Sequence, residues 1–266
     1  MTTSIPIRIT PARRHAPVDT AAAPRPEKVA SCGTPCSSCN LRELCAPCCG
    51  LTRAEMDLAG RLVFDRSRLR RGESLYRSGD RFTSLYAVRN GFFKSTALIE
   101  NGREQVTGFA MTGEVLGMDG IATERHSCTA TALEDSEVCA ILFSRLQEVA
   151  QAIPSLQHQF HRMMSREIVR EQGVMLFLGR MNAEERLAMF LLNLSRRFVA
   201  HGQSPSEFNL RMTREEIGSY LSVTLETVSR TLSKFQQEGL IRAQQRFIRI
   251  LDGAGLERVI GRGEQD

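Results

Sequence analysis

The sequence predicts an α+β chain: a β-roll, then one long helix, then a winged helix-turn-helix. Three observations point there. Turn signals recur about every ten residues from about 60 to 145. From about residue 154 the apolar period lengthens to that of a helix. Two capping boxes, Asn182-Ala183-Glu184-Glu185 and Thr213-Arg214-Glu215-Glu216, then open further helices.

Composition bounds the reading before any motif does. With 266 residues, 42% hydrophobic and 24% charged, the chain is long enough for one or two domains with real cores. It is too apolar to be disordered throughout. No run of about 18 apolar residues exists, so no membrane-spanning helix is expected. Basic residues outnumber acidic ones by 35 to 30, and the pI is near 8.9. That balance permits a nucleic-acid partner without demanding one. The only lysines are Lys28, Lys94 and Lys234.

Six of the eight cysteines lie between Cys32 and Cys49; the others are Cys128 and Cys139. The first 30 residues carry Arg8, Arg13, Arg14 and Arg25 but no continuous apolar stretch, so no secretory signal is expected. This Arg-rich, acid-poor start also suits an organellar transit peptide. The bacterial look of the downstream motifs favours a bacterial cytoplasm, where thiols stay reduced. The cysteines are then metal ligands or redox groups rather than staples.

Residues 1–31 are rich in Pro, Ala, Thr and Arg and read as a disordered tail. Residues 32–50 are too short to fold without a bound centre. Residues 51–153 form the roll. Its turns are Arg71-Gly72, Ser78-Gly79-Asp80, Asn90-Gly91, Asn101-Gly102 and Thr112-Gly113. Between them lie strand-like runs such as 84–88 and 138–142.

Residues 154–181 form the long helix. Positions 161, 164, 168, 171, 175 and 178 step by threes and fours and hold His161, Met164, Ile168, Glu171, Met175 and Leu178. That is a heptad-like seam. It fits a helix packed on its own domain, and it fits a parallel dimer helix. Glu171 favours the dimer, because a carboxylate in mid-seam would face its twin and make association conditional.

Residues 182–266 hold the last motif. Asn182 caps a helix with Leu187, Leu191, Leu194 and Phe198 on one face, stopping at His201-Gly202. Thr213 caps a short helix, Ser222-Val223 make a turn, and Thr224 caps a second helix from Leu225 to about Gln237. Val228, Leu232 and Phe235 form its buried stripe. Glu226, Ser229 and Arg230 stand opposite, near its N-terminus, where a recognition helix meets base edges. Arg forks onto guanine, Glu accepts from cytosine, and Ser serves either. Arg246-Phe247-Ile248-Arg249-Ile250 alternates like a wing whose arginines rest on phosphates. Periodicity alone fits an ordinary helical hairpin equally well.

Cys36-x2-Cys39-x5-Cys45 places three thiolates on one small loop. A fourth soft ligand would close an Fe–S cube or a zinc tetrahedron. Cys48 would complete a compact zinc site; distant Cys139 would tie the segment to the roll. Spacing alone favours zinc slightly, and Cys32, Cys49 and Cys128 take no role. No nucleophile–base pair, phosphate loop or cofactor fingerprint appears. The histidines, His15, His126, His158, His161 and His201, are scattered, so no enzyme is expected.

From Cys32 to Leu251 the chain resembles the FNR-type oxygen-sensing regulators of the CRP/FNR family. The likeness rests on Cys36-x2-Cys39-x5-Cys45, Ser84-Leu85-Tyr86-Ala87, residues 105–109, 182–188 and 193–198, and Glu226-Thr227-Val228-Ser229-Arg230. It implies a roll like a cyclic-nucleotide-binding domain and an oxygen-labile [4Fe–4S] cluster on Cys36, Cys39, Cys45 and Cys139. The fourth ligand follows from the match over Ala132-Leu133-Glu134-Asp135-Ser136-Glu137-Val138-Cys139. The resemblance further implies a homodimer on the palindromic operator TTGAT-N4-ATCAA, controlling genes of anaerobic metabolism. Glu226, Ser229 and Arg230 would read its bases, with Thr213 and Thr224 beside them. Met164, Ile168, Glu171, Met175 and Leu178 would form the dimer interface. Asn101, Gly102 and Arg103 resemble a contact to RNA polymerase. Cys48 and Cys49 depart from the pattern, leaving open which thiols substitute for one another. Gly113-Glu114 matches half of a cyclic-nucleotide phosphate cassette. The other half reads Arg125-His126-Ser127-Cys128 and breaks it, so no cyclic nucleotide is expected.

Overall fold

The computed structural model describes residues 28–29, 63–99 and 102–261. The six clustered cysteines, Asn101 and nearly all of the expected tail lie outside the described residues. Among the described residues nine strands come first: β1 (Lys28–Val29), β2 (Val63–Leu69), β3 (Ser74–Tyr76), β4 (Ser84–Asn90), β5 (Phe92–Leu98), β6 (Glu104–Met111), β7 (Val115–Leu116), β8 (Thr129–Ala132) and β9 (Ser136–Leu142). They form two antiparallel sheets, ordered β1-β2-β9-β4-β7 and β3-β8-β5-β6. β1 pairs with β2 through Lys28 and Val29, the end of the stretch the sequence assigned to the tail.

Side chains alternate across each strand, and here both faces are used. Leu69, Val88, Phe93, Ala130 and Val138 meet between the sheets. Leu85, Ala87, Cys139 and Ile141 face outward from the five-stranded sheet. There they are covered by α1 (Phe143–Ala152) and the first turns of α2 (Pro154–Arg180). Two-sided burial explains why the strand runs read as nearly continuous apolar stretches. Gly91 sits at φ 109° where a Cβ would lie 2.0 Å from Ser136 Oγ, so the β4–β5 turn accepts no side chain.

α1 was not expected from the turn rhythm; the sequence carried the roll to 153. Its buried Leu146, Val149 and Ala150 step at helical spacing, and Ile153 breaks the helix before Pro154 starts α2.

The last segment holds α3 (Ala183–Ala200), β10 (Glu207–Asn209), α4 (Arg214–Leu221), α5 (Leu225–Gln237), β11 (Ile241–Gln244), β12 (Phe247–Ile250) and α6 (Gly253–Gly261). Both expected capping boxes form. Asn182 Oδ1 accepts from Glu185 N at 3.1 Å and Glu185 Oε2 accepts from Asn182 N at 2.7 Å. β10 and α6 were not foreseen. β10 adds a third strand to the wing, and Leu256 and Val259 of α6 close the core.

The outward face of the four-stranded sheet packs on this segment. Phe92, Val106, Phe109 and Met111 join one core with Leu187, Leu191, Phe190 and Ile217. Arg186 ties the joint. It donates to Leu178 O (2.8 Å), Met181 O (2.8 Å) and Leu221 O (3.0 Å), satisfying carbonyls left over at the ends of α2 and α4.

Candidate functional site

α4 and α5 form the helix pair that the capping residues predict. Thr213 Oγ1 accepts from Glu216 N at 3.1 Å, and Thr224 Oγ1 accepts from Thr227 N at 3.2 Å. Ile217 and Leu221 of α4 meet Val228, Leu232 and Phe235 of α5. The turn between them is tight: a Cβ on Gly218 would lie 2.7 Å from Val223 O. Ser222 turns the chain at φ 55°, left-handed backbone that a non-glycine residue adopts at some cost. These constraints hold α5 with Glu226 and Arg230 exposed and Ser229 half-buried. The Glu226 carboxyl is held below its usual range by its own backbone N–H and then by the Thr224 hydroxyl. It stays ionised, which an acceptor for a base amine requires.

One partner was missed in the sequence. Arg214 Nη1 donates to Ser229 Oγ at 3.1 Å, joining the start of α4 to the reading face of α5. Only the contact between elements reveals it. In the wing, Arg249 pairs with Glu207 of β10 at 2.5 Å while its side chain stays 43% exposed. Arg246 sits in the turn between β11 and β12 rather than in a strand.

Cys139 lies at mid-β9 between Arg66 of β2 and Ala87 of β4. It is 3% exposed, in an apolar cluster with Phe82, Leu146, Val149, Ile153 and Leu156, and Phe160 and Met163 of α2 pack against that cluster. Among the described residues no group of three or more His, Cys, Asp or Glu is arranged to hold a metal. Cys139 is the only one of the four expected ligands that the structure describes. Cys128 has a different setting. Its thiol donates to Asp119 Oδ2 at 3.3 Å, and burial followed by the Asp119 charge pushes its pKa up to about 12.

Asp119 also accepts from Ser127 N at 2.8 Å and lies 3.3 Å from His126 Nδ1. The His126 ring stacks on Tyr76 at 3.7 Å between centroids. Arg125 turns away and donates to Gly79 O. Glu114, which the sequence matched to a phosphate cassette, points elsewhere. Its carboxylate accepts a fork from Arg197 of α3 (2.9 and 2.6 Å), lies 3.6 Å from Arg170 of α2, and accepts from Met111 N. Burial alone would raise this carboxyl; Arg197 and then Arg170 outweigh it and hold it below the usual range.

α2 shows two faces. Leu156, Phe160, Met163, Val174 and Leu178 pack on the chain's own cores. Ile168, Val169, Met175 and Leu176 are each more than half exposed. Leu178 of the expected dimer seam therefore belongs to the inward face. Val169 and Leu176, absent from the heptad reading, join the outward one. Glu171 is partly exposed, with Arg170 Nη2 3.9 Å away.

Comparison with known proteins decides the family. Residues 66–152 match the model of the cyclic nucleotide-binding domain, and residues 185–259 match that of the Crp-like helix-turn-helix domain. The transcriptional regulatory protein btr of Bordetella pertussis is 48% identical over 226 residues, covering 85% of this chain and 93% of that protein. The transcriptional activator protein anr of Pseudomonas aeruginosa is 44% identical, covering 85% and 92%. The fumarate and nitrate reduction regulatory protein of Escherichia coli K12 is 41% identical over 230 residues, covering 86% and 92%. The solved structure of FixK2 from Bradyrhizobium japonicum aligns at a TM-score of 0.67 with 30% identity, over 73% of this chain and 96% of that one. The chain is an FNR-type member of the CRP/FNR family. It is a DNA-binding transcription regulator and not an enzyme. No described helix of this FNR-type regulator is long and apolar enough to cross a membrane.

Proposed function

We propose that this FNR-type regulator senses oxygen through a [4Fe–4S] cluster held by Cys36, Cys39, Cys45 and Cys139, in the bacterial cytoplasm. One observation carries the reading: Cys139 lies in the same apolar cluster as Leu156, Phe160 and Met163, the first turns of α2. A ligand there sits against the helix whose far end meets the DNA-binding segment. The donor set fits, since four thiolates suit such a cluster and the apolar surroundings of Cys139 shield it from water. When bound, the cluster supplies an oxygen-labile core that keeps its four ligands together.

The chain's own residues do the rest. Cys36, Cys39 and Cys45, held to Cys139, draw their segment onto the corner of β9, α1 and α2. α2 pairs with a second copy through Met164, Ile168, Met175 and the added Val169 and Leu176. Leu178 steadies it from within. The two Glu171 carboxylates repel across the axis and keep pairing conditional. The dimer presents two α5 helices to the palindrome TTGAT-N4-ATCAA. Glu226, Ser229 and Arg230 read its bases, with Thr213 and Thr224 fixing the two helix starts. Asn101, Gly102 and Arg103, which follow β5 in the sequence, meet RNA polymerase. The roll takes no cyclic nucleotide; Asp119 places an anion among the side chains between its sheets, where a phosphate would need a cation.

Iron and sulfide analysis of oxygen-free protein tests the ligand set. Cys139→Ser should lose the iron while Cys48→Ser keeps it. Iron retained by Cys139→Ser and lost from Cys48→Ser would replace this ligand set with the compact one.

A further inference from the structure

We propose that Lys94 of β5, acting through Glu216 of α4, is a positioning residue. It fixes how far apart the two α5 helices of the dimer stand, and so how many base pairs may separate the half-sites. The inference rests on the reading of the chain as a dimer on a two-part palindrome.

α4 works with two faces. Ile217 and Leu221, four residues apart, pack toward α5. Glu216, Ser219 and Tyr220, at i, i+3 and i+4, meet the roll instead. Lys94 Nζ donates to Glu216 Oε1 at 2.7 Å, with the two side chains 23% and 17% exposed. Glu216 Oε2 accepts from Thr213 N at 2.7 Å, so one carboxylate both caps α4 and ties it to β5. Val106 N donates to Ser219 Oγ at 2.9 Å, and Gln105 Nε2 donates to Ser219 O. Phe109, paired with Lys94 across β5 and β6, meets the Tyr220 ring edge-on at 5.2 Å between centroids. Burial would raise the Glu216 carboxyl; Lys94 and then Thr213 N outweigh it and keep it ionised.

The effect of this contact follows from where the other ties lie. Arg186, near the start of α3, holds the last turn of α2, and Arg197, near the end of α3, holds Glu114 of the roll. A body held at two points on one helix can still turn about the line through them. α5 packs on α4, off that line, so such a turn would swing the reading face. The Lys94–Glu216 contact is a third point off the line and stops it. Glu226 and Arg230 stay exposed, so the contact aims the reader without hiding it. The tolerance is small. Successive base pairs lie about 3.4 Å apart along the duplex, so moving each reader by about 1.7 Å changes their separation by one base pair.

The test titrates full-length, oxygen-free protein with duplexes in which three, four or five base pairs separate TTGAT from ATCAA, and with a duplex holding one half-site. The wild type should prefer four. Lys94→Met keeps the length of the side chain and removes its charge. Its preference for four over three or five should fall about tenfold, the loss of one charge-assisted hydrogen bond. Lys94→Arg should restore the preference. Ser219→Ala should relax it too, and carries the test alone should Lys94→Met fail to fold. Half-site affinity should stay at the wild-type level, whereas a general loosening of the helix pair would lower it. The proposal is overturned if both variants keep the wild-type preference, or if they lose affinity equally for every duplex. A wild type that favours the palindrome but is indifferent to the spacer overturns this inference alone. A wild type that binds the palindrome no better than the half-site brings down the palindrome reading as well.

Discussion

Glu114 touches all three parts of the molecule with one carboxylate. It leaves the roll at the turn before β7, forks with Arg197 of α3 and approaches Arg170 of α2. Removing one member of such a buried set strands the others, which costs about 3 kcal/mol. The sign of the pH dependence follows from the depressed carboxyl. A folded pKa below the unfolded value of 4.5 gives stability that is full above about pH 4.5 and is lost as pH falls through the folded pKa. Glu114→Gln should therefore melt well below the wild type at pH 7. The gap should narrow as both are melted toward pH 3. A gap unchanged across that range would show that the charge is not what binds the three parts. Cys128 gives the contrasting lesson. Its thiol stays protonated at neutral pH, so it is a poor nucleophile and a poor ligand.

At the scale of elements, α2 carries the largest share of the account. Its inward stripe, Leu156 through Leu178, explains its stability as part of a single chain. Its outward pairs, Ile168 with Val169 and Met175 with Leu176, repeat after seven residues and are left to water. Glu171 stands beside them. Glu171→Ala should dimerise in air at about tenfold lower concentration than the wild type, because two facing carboxylates cost about that much. Sedimentation of both proteins in air checks this, and a variant that stays monomeric would remove Glu171 from the interface. The capping boxes at Asn182 and Thr213 were legible because the signal is local: two side chains three residues apart satisfy each other's backbone donors. The inward place of Leu178, the Arg214–Ser229 bond and the Glu207–Arg249 pair were not legible, because each depends on which element arrives from elsewhere in the chain. α1 was masked by the end of β9, whose apolar run continues straight into it. The partner of Glu114 was hidden for the same reason, since the Gly113-Glu114 match cannot see Arg197, which lies 83 residues away.

Over the whole molecule, packed elements connect the surroundings of Cys139 to the helix-turn-helix. Cys139 shares a core with the start of α2. The far end of α2 is held by Arg186, which also grips the end of α4. β6 fastens α4 from the roll side, where Val106 N donates to Ser219 Oγ at 2.9 Å and Gln105 donates to Ser219 O. Lys94 adds an ion pair to Glu216 at 2.7 Å. Under the proposed function, these packed elements would carry a shift at one end of α2 to the recognition helix. The energy required is modest: about 5.5 kcal/mol moves a two-state population from 1:99 to 99:1. The most direct measurement follows iron content and binding to a TTGAT-N4-ATCAA duplex in one oxygen-free sample as air is admitted. Operator affinity and iron should fall together, and Cys139→Ser should start at the low level. Oxygen-free protein that contains no iron yet binds the duplex as tightly as before would contradict it.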